Sequence, residues 1–280
     1  MNQDKQVLLN LFKSGQQENM DLAEQLALAA GIDLLELLQP YQVFLSYKVA
    51  TLDEYKELFS KQVYDGSKQG LHQLPPQLED LHSLKEIYLE DNQLKELPLF
   101  LSNLPNIKRF NVRRNKLREL PSSFSNWQNL AYLYLESNKI EHLPPSIGDF
   151  HYLTVFSLYG NKIKTLPTSV GNWVQLTHLY ASSNQLLYLP DEIGNWQQLE
   201  WLDLSYNQLH SLPDSIGQLQ KLQHLDLTNN PIESLPESLS QLTQLEELII
   251  HKVPLSSSQQ DYWTKKLPHT KIKVNFDYLY

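Results

Sequence analysis

Asparagines recur along this chain at a fixed interval of 23 residues, and each lies inside the same short phrase. The set is Asn92, Asn115, Asn138, Asn161, Asn184, Asn207 and Asn230. The phrase runs L-x-x-L-x-L-x-x-N-x-L-x-x-L-P, as in residues 84–98. A fixed period of this length predicts a solenoid, in which each unit buries its apolar side only against its neighbours. Such a chain presents one long curved surface, which favours holding another macromolecule over enclosing a small substrate.

The composition narrows the partners and the compartment. The 280 residues are 41% apolar, and the formal net charge is −9, so phosphate attraction has no overall support and we expect no nucleic-acid partner. The absence of cysteine excludes disulfide caps and thiolate chemistry, and it favours a reducing compartment. We find no secretory signal and no stretch of roughly 18 apolar residues, so we expect a cytoplasmic protein with no membrane partner.

Three segments divide the chain. Residues 1–69 have helical periodicity without a repeat, and we assign them to an N-terminal helical cap. Residues 70–255 form the repeat array, which comprises a degenerate first unit, seven regular repeats and a decaying eighth. Residues 256–280 form a C-terminal cap, with a helix predicted over 256–267 and a strand over 271–276.

The N-terminal cap carries signals for four short helices. Thr51 and Glu54 predict a capping box, Asp33 an N-cap, and Gly31 a left-handed residue at a helix C-terminus. Two apolar stripes are expected to shield the first repeat. They are Val7, Leu8, Leu11 and Phe12 on the first helix, then Leu22, Leu26, Ala29 and Ala30 on the second.

The repeated phrase, and the ending L-P-x-x-I-G-N-W at residues 189–196, resemble the leucine-rich repeat family. The match is to its 23-residue class, found in cytosolic signalling scaffolds and many bacterial repeat proteins, and it covers residues 71–255. The resemblance implies an α/β fold, a right-handed horseshoe-shaped solenoid with a concave parallel β-sheet and short helical turns on its convex side. It also implies protein recognition, since that is the usual function of the family, without naming a partner.

Alternation along each short strand separates structural positions from free ones. Leu133 and Leu135 are expected to point inward, and Tyr132 and Tyr134 outward. The repeated asparagines are interpreted as structural, because a side-chain amide can satisfy backbone groups where a strand bends into its loop. The convex-side core is expected to include Trp127, Trp173 and Trp196. Four glycines are expected to end the convex turn in a left-handed conformation: Gly148, Gly171, Gly194 and Gly217.

The outward positions carry the candidate partner-binding residues. Along the array they form a basic zone, then an aromatic centre, and finally an acidic zone. They are Tyr88, Arg109, Arg113, Arg114, Tyr132, Tyr134, Tyr159, His178, Tyr180, Trp201, Asp203, Tyr206, His224 and Asp226. Exposed tyrosine, tryptophan and arginine side chains supply most interface hot spots, so the set favours recognition. The alternative is that the tyrosines favour strands and pack across neighbouring repeats.

Signals for chemistry are weak. His178 and His224 are two strand spacings apart, about 10 Å, which is too far for shared zinc ligation. The trio of Asp203, His224 and Asp226 is interpreted as solvated interface residues rather than a metal site. The chain has no glycine-rich phosphate loop and no G-x-S-x-G elbow, so we expect no enzyme, no cofactor and no metal. Acidic residues lie close to Arg109, Arg113 and Arg114 in the sequence. They favour a contact between these arginines and a protein over a contact with a phosphate group.

The sequence therefore predicts a non-enzymatic module that binds a protein or peptide on its concave face. Two alternatives remain. One is a secreted or surface-exposed, receptor-like or effector protein that binds a glycan or peptide. The other is an architectural scaffold that joins its partners through the caps. The sequence does not determine the oligomeric state, and we favour a monomer.

Overall fold

Short parallel strands, one from each repeat, form a single sheet. In the computed structural model, which describes residues 3–45 and 50–274, ten strands lie side by side in chain order. They are β1 Val63–Asp65, β2 Glu86–Tyr88, β3 Arg109–Asn111, β4 Tyr132–Tyr134, β5 Val155–Ser157, β6 His178–Tyr180, β7 Trp201–Asp203, β8 His224–Asp226, β9 Glu247–Ile249 and β10 Lys271–Lys273. From β1 to β9, each strand residue pairs with the residue 23 positions later, so the repeat period sets the register. The predicted parallel sheet is confirmed.

Short 3₁₀ helices cover the opposite side of the stack, as predicted. They are Pro76–Asp80, Leu99–Asn103, Ser122–Asn126, Pro145–Asp149, Thr168–Asn172, Asp191–Asn195, Asp214–Gln218 and Glu237–Gln241. A proline precedes each of these helices, as Pro190 does with a φ of −71°. The pyrrolidine ring holds φ near this value, and so it orients the chain as it leaves the core and enters the turn.

The core lies between the sheet and the 3₁₀ helices and runs the length of the array. The middle residue of every strand from β2 to β9 is buried, and so is the apolar residue two positions after it, such as Leu135 or Ala181. Trp127, Trp173 and Trp196 are fully buried on the convex side, as predicted. Each indole N–H donates to a backbone carbonyl 26 residues earlier, over 2.8–2.9 Å. The tryptophans therefore stabilise both the apolar core and the stacking of successive repeats.

The repeated asparagines form a hydrogen-bonded ladder. Asn184 is typical: its Nδ2 donates to the carbonyls of Leu158 and Ala181, and its Oδ1 accepts from the backbone N–H of Ile163. Each amide thus connects its own loop to the preceding one. The side chains are buried, where unpaired backbone groups are costly. The structural interpretation of these asparagines is confirmed.

The left-handed residues are not the four convex glycines, so that prediction was wrong. A Cβ on Gly148 or Gly217 would collide with a backbone carbonyl of the next repeat, from Ser169 or Ser238. These positions require glycine because neighbouring turns approach closely, while their φ is not positive. The left-handed residue is the one before each asparagine, with φ between 53° and 69°. The set is Asp91, Arg114, Ser137, Gly160, Ser183, Tyr206 and Asn229.

Short helices precede the first repeat in the chain. They are α1 Gln3–Lys13, α2 Gln17–Ala30, α3 Leu34–Leu38, a 3₁₀ helix Gln39–Phe44, and α4 Leu52–Ser60. The predicted capping signals are confirmed. Thr51 and Glu54 form a reciprocal capping box, Asp33 accepts from two backbone N–H groups of α3, and Gly31 ends α2 with φ 64°.

The predicted apolar stripes of α1 and α2 are only partly correct. α1 buries Leu8, Leu9 and Phe12 and exposes Val7, while α2 buries Met20, Ala23 and Ala27. Leu22 and Leu26 remain 45% and 42% exposed. Small residues on the buried face of α2 let the neighbouring helices approach closely. The leucine face, which has the stronger apolar pattern in the sequence, is therefore turned outward.

The C-terminal segment supplies a helix and the last strand. α5, Ser257–Lys266, lies within the predicted helix 256–267, and Ser256 at its N-cap forms a capping box with Gln259. The strand predicted over 271–276 is shorter, because β10 ends at Lys273, and residues 275–276 lie outside the described residues. The sheet continues through β1 and β10, and the domain bounds at 69/70 and 255/256 stay predictions. No helix within residues 3–45 or 50–274 is long and apolar enough to cross a bilayer.

Candidate protein-interaction surface

Two columns of side chains cover the face of the sheet opposite the core. The first column holds the first residue of each strand: Glu86, Arg109, Tyr132, Val155, His178, Trp201, His224 and Glu247. The second column holds the third residue: Tyr88, Asn111, Tyr134, Ser157, Tyr180, Asp203, Asp226 and Ile249. Residues in register on parallel strands lie about 4.8 Å apart. The columns therefore bring ten of the candidate residues together on one surface.

The basic end of this surface is internally neutralised. Arg113 Nε lies 2.6 Å from Glu90 Oε2, and Arg114 contacts Asp91 over 3.5 Å. Arg109 Nε lies 3.7 Å from a carboxylate oxygen of Glu86. Each arginine of the candidate set therefore faces a carboxylate that lies 23 residues earlier. This arrangement leaves less net positive charge for an anionic partner than the sequence pattern suggests.

Arg109 also orders the start of the aromatic centre. Its guanidinium carbon lies 4.0 Å from the ring centroid of Tyr132, within the range of a cation–π contact. Its Nη1 donates to the hydroxyl of Tyr134 over 3.2 Å. The two tyrosines are half-buried and held by a side chain that is itself ion-paired. These contacts restrict the rotamers that the two tyrosines can adopt.

The second half of the surface is a continuous run of rings. The centroids of Tyr180 and Trp201 are 6.4 Å apart, and Trp201 stacks on His224 at 3.6 Å with an interplanar angle of 10°. His178 lies 6.2 Å from Tyr180. Trp201 is 36% exposed, so part of this stack remains open to solvent. Burial lowers the pKa of the His224 imidazole, against the opposing effect of Glu247, and keeps the ring neutral at neutral pH.

Two neighbouring carboxylates lie near the end of the second column, before Ile249. Asp203 and Asp226 are register partners on β7 and β8, and no ion pair involves either one among the described residues. Burial raises the pKa of Asp203, and the neighbouring Asp226 adds to this effect, although hydrogen bonds from Ser205 oppose it. In residues 3–45 and 50–274, no group of three metal-binding side chains could hold an ion. The pair thus forms a negatively charged end beside the rings.

Four candidates lie beyond the columns. Arg113 and Tyr159 occupy the outward position after the strand ends, and Arg114 and Tyr206 occupy the left-handed loop residue. All four are exposed, and neither tyrosine stacks on a column ring in the part of the chain that the structure describes. They form the rim along the C-terminal ends of the strands.

Sequence alternation missed two features of this surface. Asn111 and Ser157 are 6% and 3% exposed, so they are floor positions between larger neighbours. Glu136 lies past the end of β4, and burial raises the pKa of its carboxyl. Its Oε2 has no hydrogen-bond partner among the described residues. Small residues alternating with tyrosines in the second column are the signal that could have revealed the floor.

Comparisons with known proteins agree with this architecture. The chain matches the family model described as a leucine-rich repeat region over residues 122–206 and 191–259, and that described as a leucine rich repeat over residues 82–140. Neither description names a catalytic family. No curated protein sequence matches the chain.

Solved structures share the fold. A leucine-rich repeat protein of Leptospira interrogans has a TM-score of 0.76 and 35% identity, over 81% of this chain and 57% of that one. The ectodomain of the Arabidopsis thaliana membrane receptor kinase GASSHO1/SCHENGEN3, in complex with CASPARIAN STRIP INTEGRITY FACTOR 2, has a TM-score of 0.60 and 30% identity. The match covers 65% of this chain and 23% of that one. The plant peptide hormone receptor RGFR1, in complex with RGF2, has a TM-score of 0.63 and 25% identity. The match covers 73% of this chain and 34% of that one.

This chain spans 57% of the Leptospira protein and smaller shares of the two receptors, so it corresponds to part of each. The family models together cover the array from residue 82 to residue 259. The ordered parallel sheet, the asparagine ladder and these matches agree with one another, and the chain belongs to the leucine-rich repeat family.

Proposed function

We propose that this protein is a non-enzymatic interaction module that binds a protein or peptide on its concave face. The observation that carries the proposal is the aromatic run of Tyr132, Tyr134, Tyr180 and Trp201, held in register and partly open to solvent. A solvated sheet without a partner has little reason to carry these rings, whereas tyrosine and tryptophan supply most interface hot spots.

The rigidity of the surface supports the same proposal. The first half is fixed by Arg109, and the second half by the stack of Trp201 on His224. Side chains that are already ordered lose little entropy on binding, so more of the contact energy contributes to affinity. The compared receptors are described in complex with RGF2 and with CASPARIAN STRIP INTEGRITY FACTOR 2, which is consistent with a peptide or protein ligand here.

A paired variant tests this proposal. Tyr134→Ala with Trp201→Ala removes one ring from each half of the run. A hot-spot ring contributes about 2 kcal/mol, so the double variant should bind its partner about 10³-fold more weakly. The assay is affinity capture from the native cell, followed by titration of the purified partner.

A matched control separates binding from folding. Tyr152→Ala with Tyr188→Ala removes two exposed tyrosines that lie outside the columns, and it should leave capture unchanged. The concave variant loses the stack of Trp201 on His224 and the hydrogen bond from Arg109 to Tyr134, about 1 kcal/mol each, so its melting temperature should fall by no more than about 8 °C. Unchanged capture by the concave variant would contradict the proposal. A much larger fall in melting temperature would show that the rings are packing residues.

A second candidate function is a scaffold that binds through its N-terminal helices. The exposed apolar side chains of the N-terminal helices, Leu22 and Leu26 on α2 and Val7 on α1, favour it. Leu22→Ser with Leu26→Ser would then abolish capture, while the concave variant would retain it. This pair of results would place the partner-binding site on the N-terminal helices rather than on the sheet.

The compartment and the oligomeric state belong to the same proposal. We propose the cytoplasm, because a chain without cysteine suits a reducing compartment, and a monomer. A receptor-like role outside the cell, with a glycan or peptide ligand, is the alternative that the two receptor ectodomains suggest by analogy. Cell fractionation with an antibody to the chain and light scattering of the purified protein decide both points.

A further inference from the structure

The second column alternates large and small side chains along the sheet. Tyr88, Tyr134 and Tyr180 lie on β2, β4 and β6, while Asn111 and Ser157 lie on the strands between them. Both small residues are buried and the three tyrosines are half-buried. The column therefore presents three ring ridges separated by two troughs. Since neighbouring strands are about 4.8 Å apart, successive ridges are about 9.6 Å apart.

This period selects one conformation for a peptide that crosses the strands. A polyproline II helix repeats every three residues, or about 9.3 Å. An extended strand presents the same face every two residues, or about 6.7 Å, and two turns of α-helix span about 10.8 Å. Over three ridges the polyproline II mismatch stays below about 1 Å, whereas the other two accumulate more than 2 Å. Ring ridges are also the surfaces to which such helices dock.

Hydrogen-bonding capacity fits the same ligand. A polyproline II backbone makes no internal hydrogen bonds, so its carbonyls need donors from the surface. Burial raises the pKa of the Tyr180 phenol, which keeps its hydroxyl protonated and able to donate. Arg109 already donates to the Tyr134 hydroxyl, which leaves that hydroxyl's own proton free to donate.

Charge determines what lies at the end of the ligand. Two strands beyond Tyr180, the next step along the column reaches Asp226 on β8, with Asp203 beside it on β7. Neither carboxylate has an ion pair among the described residues, whereas the arginines at the other end face carboxylates. A fourth ligand position in the same period should therefore carry a cation.

We propose that the concave face binds a proline-rich segment in the polyproline II conformation, with proline at every third position and an arginine or lysine at the fourth step. Each proline packs against one of the three ridges, Tyr88, Tyr134 or Tyr180, and the cation pairs with Asp203 and Asp226. This inference rests on the proposed function and specifies its ligand class.

Synthetic peptides test the inference directly. The probes are fluorescein-labelled (Pro-Ala-Ala)₃-Arg and its reversed order, because polyproline II ligands can dock in either direction. The controls carry glycine in place of every proline, or glutamate in place of arginine. In a fluorescence anisotropy titration, at least one proline probe should bind at least 10-fold more tightly than its glycine and glutamate counterparts.

Variants of the chain assign the contacts. Tyr134→Ala and Tyr180→Ala should each weaken binding about 10-fold, and Tyr188→Ala should not change it. Asp226→Asn should reduce the preference for arginine over glutamate while retaining the preference for proline over glycine. These separate losses distinguish the ridge contacts from the cation contact.

Two results overturn the inference. One is equal binding of the proline and glycine probes, and the other is no binding of either proline probe at 1 mM. If the double variant Tyr134→Ala with Trp201→Ala still loses its natural partner, only the ligand class is wrong and the proposed function stands. If that variant also retains its partner, both fail.

Discussion

Removing one amide from the asparagine ladder provides a quantitative test of the fold. In Asn184→Ala the carbonyls of Leu158 and Ala181 keep a second donor, because the neighbouring asparagines also bond to them. The N–H of Ile163 loses its side-chain acceptor inside the core. An orphaned buried donor costs about 2 kcal/mol, and the weakened carbonyl bonds cost about 1 kcal/mol together. The expected loss is about 3 kcal/mol.

The assay is thermal unfolding followed by circular dichroism. A loss of about 3 kcal/mol corresponds to a fall of about 6–12 °C in a protein of this size. Asn172→Ala is the matched control, since it makes the same change at an exposed position on the convex side. A fall below about 2 °C for Asn184→Ala, or an equal fall for both variants, would refute the ladder as a source of stability.

Two further predictions concern close packing and buried charge. Gly217→Ala places a Cβ against the Ser238 carbonyl and should destabilise the chain by about 1–3 kcal/mol in urea unfolding; an unchanged midpoint would contradict the close approach. Burial raises the pKa of Glu136, so the folded state binds the proton more tightly and stability falls as pH rises above about 4.3. Glu136→Gln should raise the melting temperature at pH 7 and flatten that decline, and equal profiles between pH 4 and 8 would refute it.

The repeat array could be predicted from the sequence because its period is enforced by physics at several positions at once. Three kinds of position in the repeat each favour one residue type for one physical reason: the inward leucines, the proline before each turn and the buried asparagine. All three recur together. Alternation on a strand then places Tyr134 and Trp201 on the outward face without further information. Consistency among independent requirements is what makes such a prediction reliable.

The errors arose where a residue has two physical uses. Glycine suits both a left-handed residue and a close approach, and only the structure shows that Gly217 serves the second. On α2 the leucines have the stronger apolar pattern, yet Ala23 and Ala27 face the core because neighbouring helices approach there. Periodicity does not show how closely neighbouring elements approach.

The ion pairs of this surface also could not be predicted from the sequence alone. Arg113 and Glu90 are 23 residues apart and meet only because adjacent strands are in register. Once the register is known, the arginine cluster is internally compensated, and Asp203 with Asp226 becomes the charged end without an ion pair among the described residues. The candidate binding residues remain a prediction that partner binding must test.

Site-specific photo-crosslinking tests the concave-face proposal most directly. A photoreactive phenylalanine derivative replaces Tyr180 on the second column in one sample and the exposed Tyr188 outside the columns in another. Irradiation in the native cell should attach the partner covalently at position 180 and not at position 188. Attachment at 188 without attachment at 180 would contradict the concave face as the binding surface.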